Sequence, residues 1–362
     1  MAFLKRSRHK RSLVVGLDGV PHSLLVRFMD GGVMPQLARI MKGGHLRPMT
    51  VTLPEISAVS WPSFMTGSNP GTHGIYGFSE VDPETYRLRF PSFSDLRAPT
   101  IWDRLAEQGK QSIVLNQPST YPARKTDGIL VSGFVAVELP RSVWPIRSLR
   151  DLRKIDYQVD IDTVRCRTDH KFLFEDLDRT LECRRNAVDL FWDAFGWDYF
   201  ELVVTGTDRL QHYLWRALDD EQHQYHDDAL EYYRKVDTLI GELFDRFARV
   251  CGRPTPEEGF FMLSDHGFTG IKREVYLNAW LKENGYLGYS CDTPQSLEDI
   301  SGDTRAFALD PSRIYINTRG RFGRGCVPLE QVEPLKNEIK EKLTPLAHDG
   351  TQVIETIHDA RE

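Results

Sequence analysis

The chain has 362 residues and is 40% hydrophobic, enough to bury a full core as one large domain or two. A formal net charge of −6 and a pI of about 6.0 carry no signature of nucleic-acid binding. Five scattered cysteines with no C-x-x-C pair argue against a disulfide framework and a thiolate zinc site, so any metal must be held by oxygen and nitrogen.

At the N-terminus Lys5, Arg6, Arg8, Lys10 and Arg11 precede an apolar run, in the manner of a secretory signal. The run Leu13 to Val20 contains Asp18, however, and no small-residue cleavage site follows. No segment approaches the roughly 18 apolar residues that span a bilayer. The expectation is a cytoplasmic protein without a membrane span.

Short apolar runs that read as buried strands follow in order: Leu13 to Leu17, Ser112 to Leu115, Gly128 to Val131, Phe200 to Val204 and Gly259 to Leu263. Between them, Pro35 to Met41, Thr100 to Gln108, Leu173 to Phe195, Asp227 to Val250 and Leu277 to Asn284 show helical i, i+3, i+4 spacing. This alternation predicts an α/β fold with a mostly parallel central sheet and helices on both faces. The stretches 78–99 and 136–169 lack periodicity and are rich in Pro, Arg, Asp and Ser, and with 288–327 they read as insertions forming a lid. Pro328 to Lys342 resumes a helical pattern, and Val353 to Ile357 reads as a last strand.

Asp18, Asp208 and Asp265 each stand just beyond a hydrophobic strand, where an open α/β sheet gathers its ligands. Singly, each suits a helix cap or turn. A cap does not require the histidines that accompany two of them. His266 is adjacent to Asp265, and His212 lies four residues after Asp208, on the same face if that segment is helical. Asp219/His223 has the same spacing within a polar run and reads as a solvated loop, and Asp169-His170 follows no strand and reads as surface. His22 stays open, because Pro21 can place it in the first turn of a helix.

Between the first two strands lies Leu53-Pro54-Glu55-Ile56-Ser57-Ala58-Val59-Ser60-Trp61-Pro62-Ser63-Phe64-Met65-Thr66-Gly67, and then Asn69-Pro70-Gly71-Thr72-His73-Gly74-Ile75. This resembles the type I phosphodiesterase and nucleotide pyrophosphatase branch of the alkaline phosphatase superfamily. Members carry a Thr or Ser nucleophile ahead of a helix closing with Thr-Gly, and Ser57 falls at that position. Leu17-Asp18-Gly19, Thr207-Asp208 through His212, and Ser264-Asp265-His266-Gly267-Phe268 resemble the ligand motifs. Pro118 to Pro122, Leu277 to Leu281 and Ile314 to Asn317 are similar to bacterial members.

The resemblance implies a single alkaline-phosphatase-like catalytic domain over residues 12–362. It implies two divalent cations, usually zinc, with manganese as the other choice. Asp18, Ser57, Asp265 and His266 would hold one and Asp208 and His212 the other. The implied reaction is hydrolysis of a phosphate ester or nucleotide-like small molecule through a covalent phosphoryl- or nucleotidyl-serine. Metal bonding lowers a serine hydroxyl's pKa, and a helix N-terminus favours the anionic phosphate. Ser60 is the rival nucleophile, although the Thr66-Gly67 register puts it inside the helix. His73 reads as structural, Trp61 as packing, and Asn116 and Gln117 as candidate polar contacts to substrate.

Two related activities fit less well. Ser57-Ala58-Val59-Ser60-Trp61 lacks the Pro and Arg of the sulfatase pattern, and the serine context differs from that of cofactor-independent phosphoglycerate mutases. Relatives complete the second metal with a late histidine, usually followed by Gly, after a C-terminal segment of the fold that this chain is expected to lack. His348-Asp349-Gly350 superficially suits, yet it lies where relatives have an ordinary turn, and His358 suits less. Asp208 and His212 alone fall short of the three or so protein ligands that hold such a cation. The alternative is therefore a truncated or inactive phosphodiesterase-like protein that binds a phosphate ligand or a partner without turnover.

Overall fold

The computed structural model describes residues 10–252 and 258–360. Lys5, Arg6 and Arg8 of the basic cluster lie outside them. The described residues gather into two compact units. One is formed by the chain up to Phe78 together with Pro91–Ile271, the other by Ser79–Phe90 together with the chain from Lys272 onward.

The first unit is built on a six-stranded sheet. Its strands are β1 (Ser12–Leu17), β2 (Ser112–Gln117), β3 (Gly128–Ser132), β4 (Val143–Trp144), β5 (Tyr199–Val204) and β6 (Phe260–Leu263), in the spatial order β4-β3-β2-β5-β1-β6. All pairings are parallel except that of β4 with β3. β1, β2 and β5 are largely apolar and fully or almost fully buried because helices cover both their faces, as parallel sheets require.

One face is formed by Leu13, Val15, Ile113, Leu115, Phe200 and Leu202. It packs on α1 (His22–Asp30), α2 (Pro35–Met41) and α5 (His170–Phe191), and on α6 (Gly206–Asp219) and α7 (His226–Cys251). The alternate residues Val14, Val114, Leu130 and Tyr199 face α3 (Ser57–Thr66) and α4 (Ile101–Ala106), packing with Met65 and Trp102 of those helices and with Phe93. This period-two division is what buries both faces of each strand. α4 begins with a reciprocal cap in which Thr100 and Asp103 satisfy each other's backbone N–H groups.

Stretches that read as insertions contribute to these layers. Leu149, Leu152, Tyr157, Ile161 and Cys166 are buried in the main core, and Phe93 and Leu96 in the smaller one. Their apolar residues are spaced irregularly because they sit on turns and short helices, which have no long period to display.

The second unit has its own core around Tyr86, Leu281, Tyr286, Phe307 and Phe322. It contains an antiparallel hairpin, Ala306–Asp310 with Arg313–Ile316, and the helices Leu277–Glu283 and Val332–Leu343. The expected strand over Val353 to Ile357 does not form. Ile354 and Ile357 pack against this core from irregular chain, and the local ladder pairs Ala347–His348 with Thr351–Gln352 instead. Among the described residues, no helix is long and apolar enough to cross a membrane.

Candidate metal and nucleophile site

Three adjacent strands, β5, β1 and β6, deliver the acidic residues at their carboxyl ends. Asp18 follows β1 directly, Asp265 stands two residues beyond β6, and Asp208 lies in the first turn of α6 after β5. The Thr207 hydroxyl donates to the Asp18 carbonyl at 2.7 Å, which ties the β1 and β5 ends together. Carboxylate oxygens of Asp18 and Asp208 and a ring nitrogen of His266 lie within 4.8 Å of one another.

Ser57 is the first residue of α3, after the extended Ile56, so its backbone N–H is among those a helix leaves unpaired. Its Oγ lies 3.2 Å from Asp18 Oδ1 and 2.9 Å from His266 Nε2. The other nitrogen of that ring, Nδ1, is 2.7 Å from the Gly267 carbonyl oxygen, which can only accept. Nδ1 therefore carries a proton, and Nε2 is the ring nitrogen that faces the serine. His266 Nε2 is also 3.6 Å from Asp18 Oδ1 and 3.5 Å from Asp265 Oδ2.

Ser60 sits inside α3 with its hydroxyl 3.3 Å from that of Thr52, as the register predicts. His73 is buried, with Nε2 3.0 Å from Ser63 Oγ and Nδ1 accepting from the Ile75 N–H, and burial pushes its pKa down to about 4. It is a structural residue. Trp61 does more than pack, because its Nε1 donates to Asp18 Oδ2 at 3.1 Å.

Gly19 has a φ of +71°, and a Cβ there would stand 2.9 Å from Asp208 Oδ1 and 3.3 Å from His266 Cε1. The backbone thus passes between two candidate ligand side chains where only glycine fits. Its N–H donates to Asp265 Oδ1 at 3.0 Å.

Two buried oxygens of this cluster, Asp208 Oδ1 and Asp265 Oδ2, have no hydrogen-bond partner. Burial pushes the Asp18 carboxyl well above its usual range, and the charges of Asp265 and Asp208 add to this. Burial likewise pushes Asp265 up to about 7, against the opposing Gly19 N–H. Three buried carboxylates, two of them with an orphaned oxygen, and one imidazole nitrogen form a donor set that fits a divalent cation.

His212 is one turn beyond Asp208, with Nε2 3.4 Å from Asp208 Oδ1. Its half-exposed ring meets Phe268 edge-on at 5.0 Å, and Phe268 stacks on Trp215 at 5.4 Å. Asn116 is fully buried at the end of β2, where its amide donates to the Val203 carbonyl at 3.1 Å. Tyr157 donates to its Oδ1 at 3.4 Å, so its carboxamide bridges Val203 at the end of β5 and Tyr157. His22 begins α1, and His348 lies exposed in the second unit. Asp219 pairs with Arg27, and Asp169 caps α5 through the Phe172 N–H.

No curated protein matches the chain. Among solved structures, phosphonoacetate hydrolase from Sinorhizobium meliloti 1021 in complex with phosphonoacetate superposes with a TM-score of 0.55 at 18% identity, over 92% of this chain and 77% of that one. Its complex with phosphonoformate gives 0.51 at 18% identity over 76% of this chain, which spans 62% of the length of that chain. The alkaline phosphatase PafA gives 0.59 at 14% identity, over 93% of this chain and 78% of that one. These likenesses show a shared fold, with the mostly parallel central sheet expected from the sequence. The model of the type I phosphodiesterase/nucleotide pyrophosphatase family matches residues 12–359, and the chain belongs to that family.

Proposed function

We propose that this chain hydrolyses phosphoric esters with Ser57 as nucleophile, in a metal-dependent reaction on a phosphate ester or nucleotide-like small molecule. The observation that carries the reading is Ser57 Oγ at a helix N-terminus, 3.2 Å from a carboxylate oxygen of Asp18 and 2.9 Å from His266 Nε2. Asp18, Asp265 and His266, with Ser57, would hold one divalent cation, and Asp208 and His212 would serve a second. Bound there, such cations supply a lowered pKa for the serine hydroxyl and charge to offset the phosphoryl oxygens.

The chain's own residues supply the rest. Asp18 Oδ1 is placed to receive the Ser57 proton, and His266 Nε2 is the ring nitrogen that would turn to the cation. The Gly267 carbonyl fixes the ring's tautomer, and Trp61 fixes the orientation of Asp18. Attack forms an Oγ–P bond and breaks the bond from phosphorus to the leaving oxygen. Water then cleaves the phosphoserine ester and restores the hydroxyl. The unpaired N–H groups at the start of α3 favour the anionic phosphoryl group beside Ser57.

The test compares wild type and Ser57→Ala in hydrolysis of bis(p-nitrophenyl) phosphate, with metal content measured in parallel. Loss of turnover with metal retained is the expected result, and unchanged turnover overturns the assignment of Ser57. A wild-type protein that binds phosphate but never turns over an ester matches the alternative of an inactive phosphodiesterase-like protein.

A further inference from the structure

Arg209 directly follows Asp208 and is nearly buried, yet its strongest partner is a different carboxylate. Its Nε lies 3.1 Å and 3.0 Å from the two oxygens of Asp160, and Nη2 donates to Asp160 Oδ2 at 2.6 Å. Nη1 is 3.6 Å from Asp208 Oδ2, beyond hydrogen-bond reach. The guanidinium is roofed by Phe134, whose ring centroid lies 4.1 Å from Cζ. Asp160 is itself anchored, since its Oδ1 accepts the N–H of the buried Ile161 at 2.9 Å.

We propose that Asp160 is a positioning residue that holds the Arg209 guanidinium off Asp208, so that the orphaned Asp208 Oδ1 stays available to a divalent cation. This rests on the metal-site reading given above. A guanidinium pairs most strongly with a carboxylate in a two-bond fork, and here two carboxylates compete for one fork. Asp160 holds it. Without Asp160 the nearest carboxylate is Asp208, whose charge and oxygens would then be engaged by arginine instead of metal. At its observed distance Arg209 still eases the mutual repulsion of Asp208 and Asp18 without occupying the free oxygen. Asp160 thus acts through Arg209 and needs no contact with metal or substrate.

The test is a thermodynamic cycle on the full chain, with Zn2+ and Mn2+ affinities measured by chelator competition for wild type, Asp160→Asn, Arg209→Gln and the double variant. Asp160→Asn is expected to weaken metal binding by about 10- to 100-fold, the usual effect of disturbing a residue behind a ligand. Adding Arg209→Gln should restore most of that loss, because no guanidinium remains to capture Asp208. A general structural lesion at Asp160 cannot be restored in this way. Unchanged affinity in Asp160→Asn, or a double variant no tighter than Asp160→Asn, overturns the proposal. If Asp160→Asn alone does not fold, the Arg209→Gln background decides: there Asp160→Asn must leave affinity unchanged, and a fall overturns the proposal. A wild-type protein that takes up neither ion overturns the metal-site reading as well, whereas wild-type uptake with an indifferent Asp160→Asn overturns only the role of Asp160.

Discussion

Trp61 Nε1 donates to Asp18 Oδ2 at 3.1 Å, and the same indole lies over Gly16, where a Cβ would come within 2.5 Å of Cη2. One strand of six residues therefore does two things for one side chain. Gly16 makes room for the ring, and Asp18, just past the strand end, receives its proton.

The two contacts separate experimentally. Trp61→Phe keeps an aromatic ring over Gly16 and removes the donor, so Asp18 loses the bond that fixes its second oxygen. Metal affinity should fall by about 10- to 100-fold, at a stability cost of about 1 to 3 kcal/mol. Gly16→Ala instead overpacks the ring and should cost about 1 to 3 kcal/mol. Chelator competition and urea unfolding on both variants check this. An unchanged metal affinity in Trp61→Phe would remove the indole from the site.

Gly19→Ala tests the narrow passage between Asp208 and His266. The added methyl meets Asp208 Oδ1 at 2.9 Å, and the φ of +71° adds about 1 to 2 kcal/mol of backbone strain. On the proposed function, the predicted outcome is loss of most bis(p-nitrophenyl) phosphate hydrolysis with the thermal unfolding transition still cooperative. A fully active Gly19→Ala protein would mean that the cluster tolerates being spread, and that its close approach has no function.

The cluster also predicts a trade between stability and metal binding. Asp265→Asn keeps an oxygen for the Gly19 N–H and removes a buried carboxyl whose ionisation burial opposes. In chelator-treated protein this variant should melt at a higher temperature than wild type. With Zn2+ present at about 100 times its Kd, wild type should gain about 2.7 kcal/mol and overtake the variant. Calorimetry with and without chelator reads both effects, and a variant that responds to Zn2+ as wild type does would exclude Asp265 from the ligand set.

Much of this was legible in the chain itself, for a physical reason. β1, β2 and β5 are buried on both faces and so appear as largely apolar runs, and Asp18 just past β1 and Asp208 in the first turn of α6 stand out against them. The register from Thr66-Gly67 back to Ser57 places that serine at the start of α3, where the structure has it. Contacts made across the fold left no such trace. Nothing local marks Asp160 as the partner of Arg209, which lies 49 residues away, and an indole one turn into a helix reads as packing until its N–H is seen on Asp18. The apparent strand at Val353 to Ile357 failed because apolar content alone does not supply a neighbouring strand to pair with. Asn116 stands at the end of β2, where its carboxamide bonds to the Val203 carbonyl and the Tyr157 hydroxyl, partners that no local pattern marks.

Glu201 offers a test of the core that is independent of the ligand cluster. It lies in the middle of β5, fully buried, with one oxygen accepting from the Tyr199 hydroxyl and Oε1 without a partner. Burial pushes its pKa from 4.5 up to about 7, against the opposing Tyr199 bond. The folded protein therefore keeps a proton that the unfolded chain releases from about pH 4.5 upward. Between those two pH values the native state binds more protons than the unfolded state, so stability falls as pH rises and levels off above about 7. A shift of 7 − 4.5 = 2.5 corresponds to a loss of about 3 kcal/mol across that window. Glu201→Gln has no such proton to lose, so the stability difference between variant and wild type should swing in the variant's favour from pH 5 to pH 8. Taking the difference cancels the titration of every other group. Urea unfolding of both proteins across this range measures it, and parallel profiles would show that Glu201 finds a compensating partner when charged.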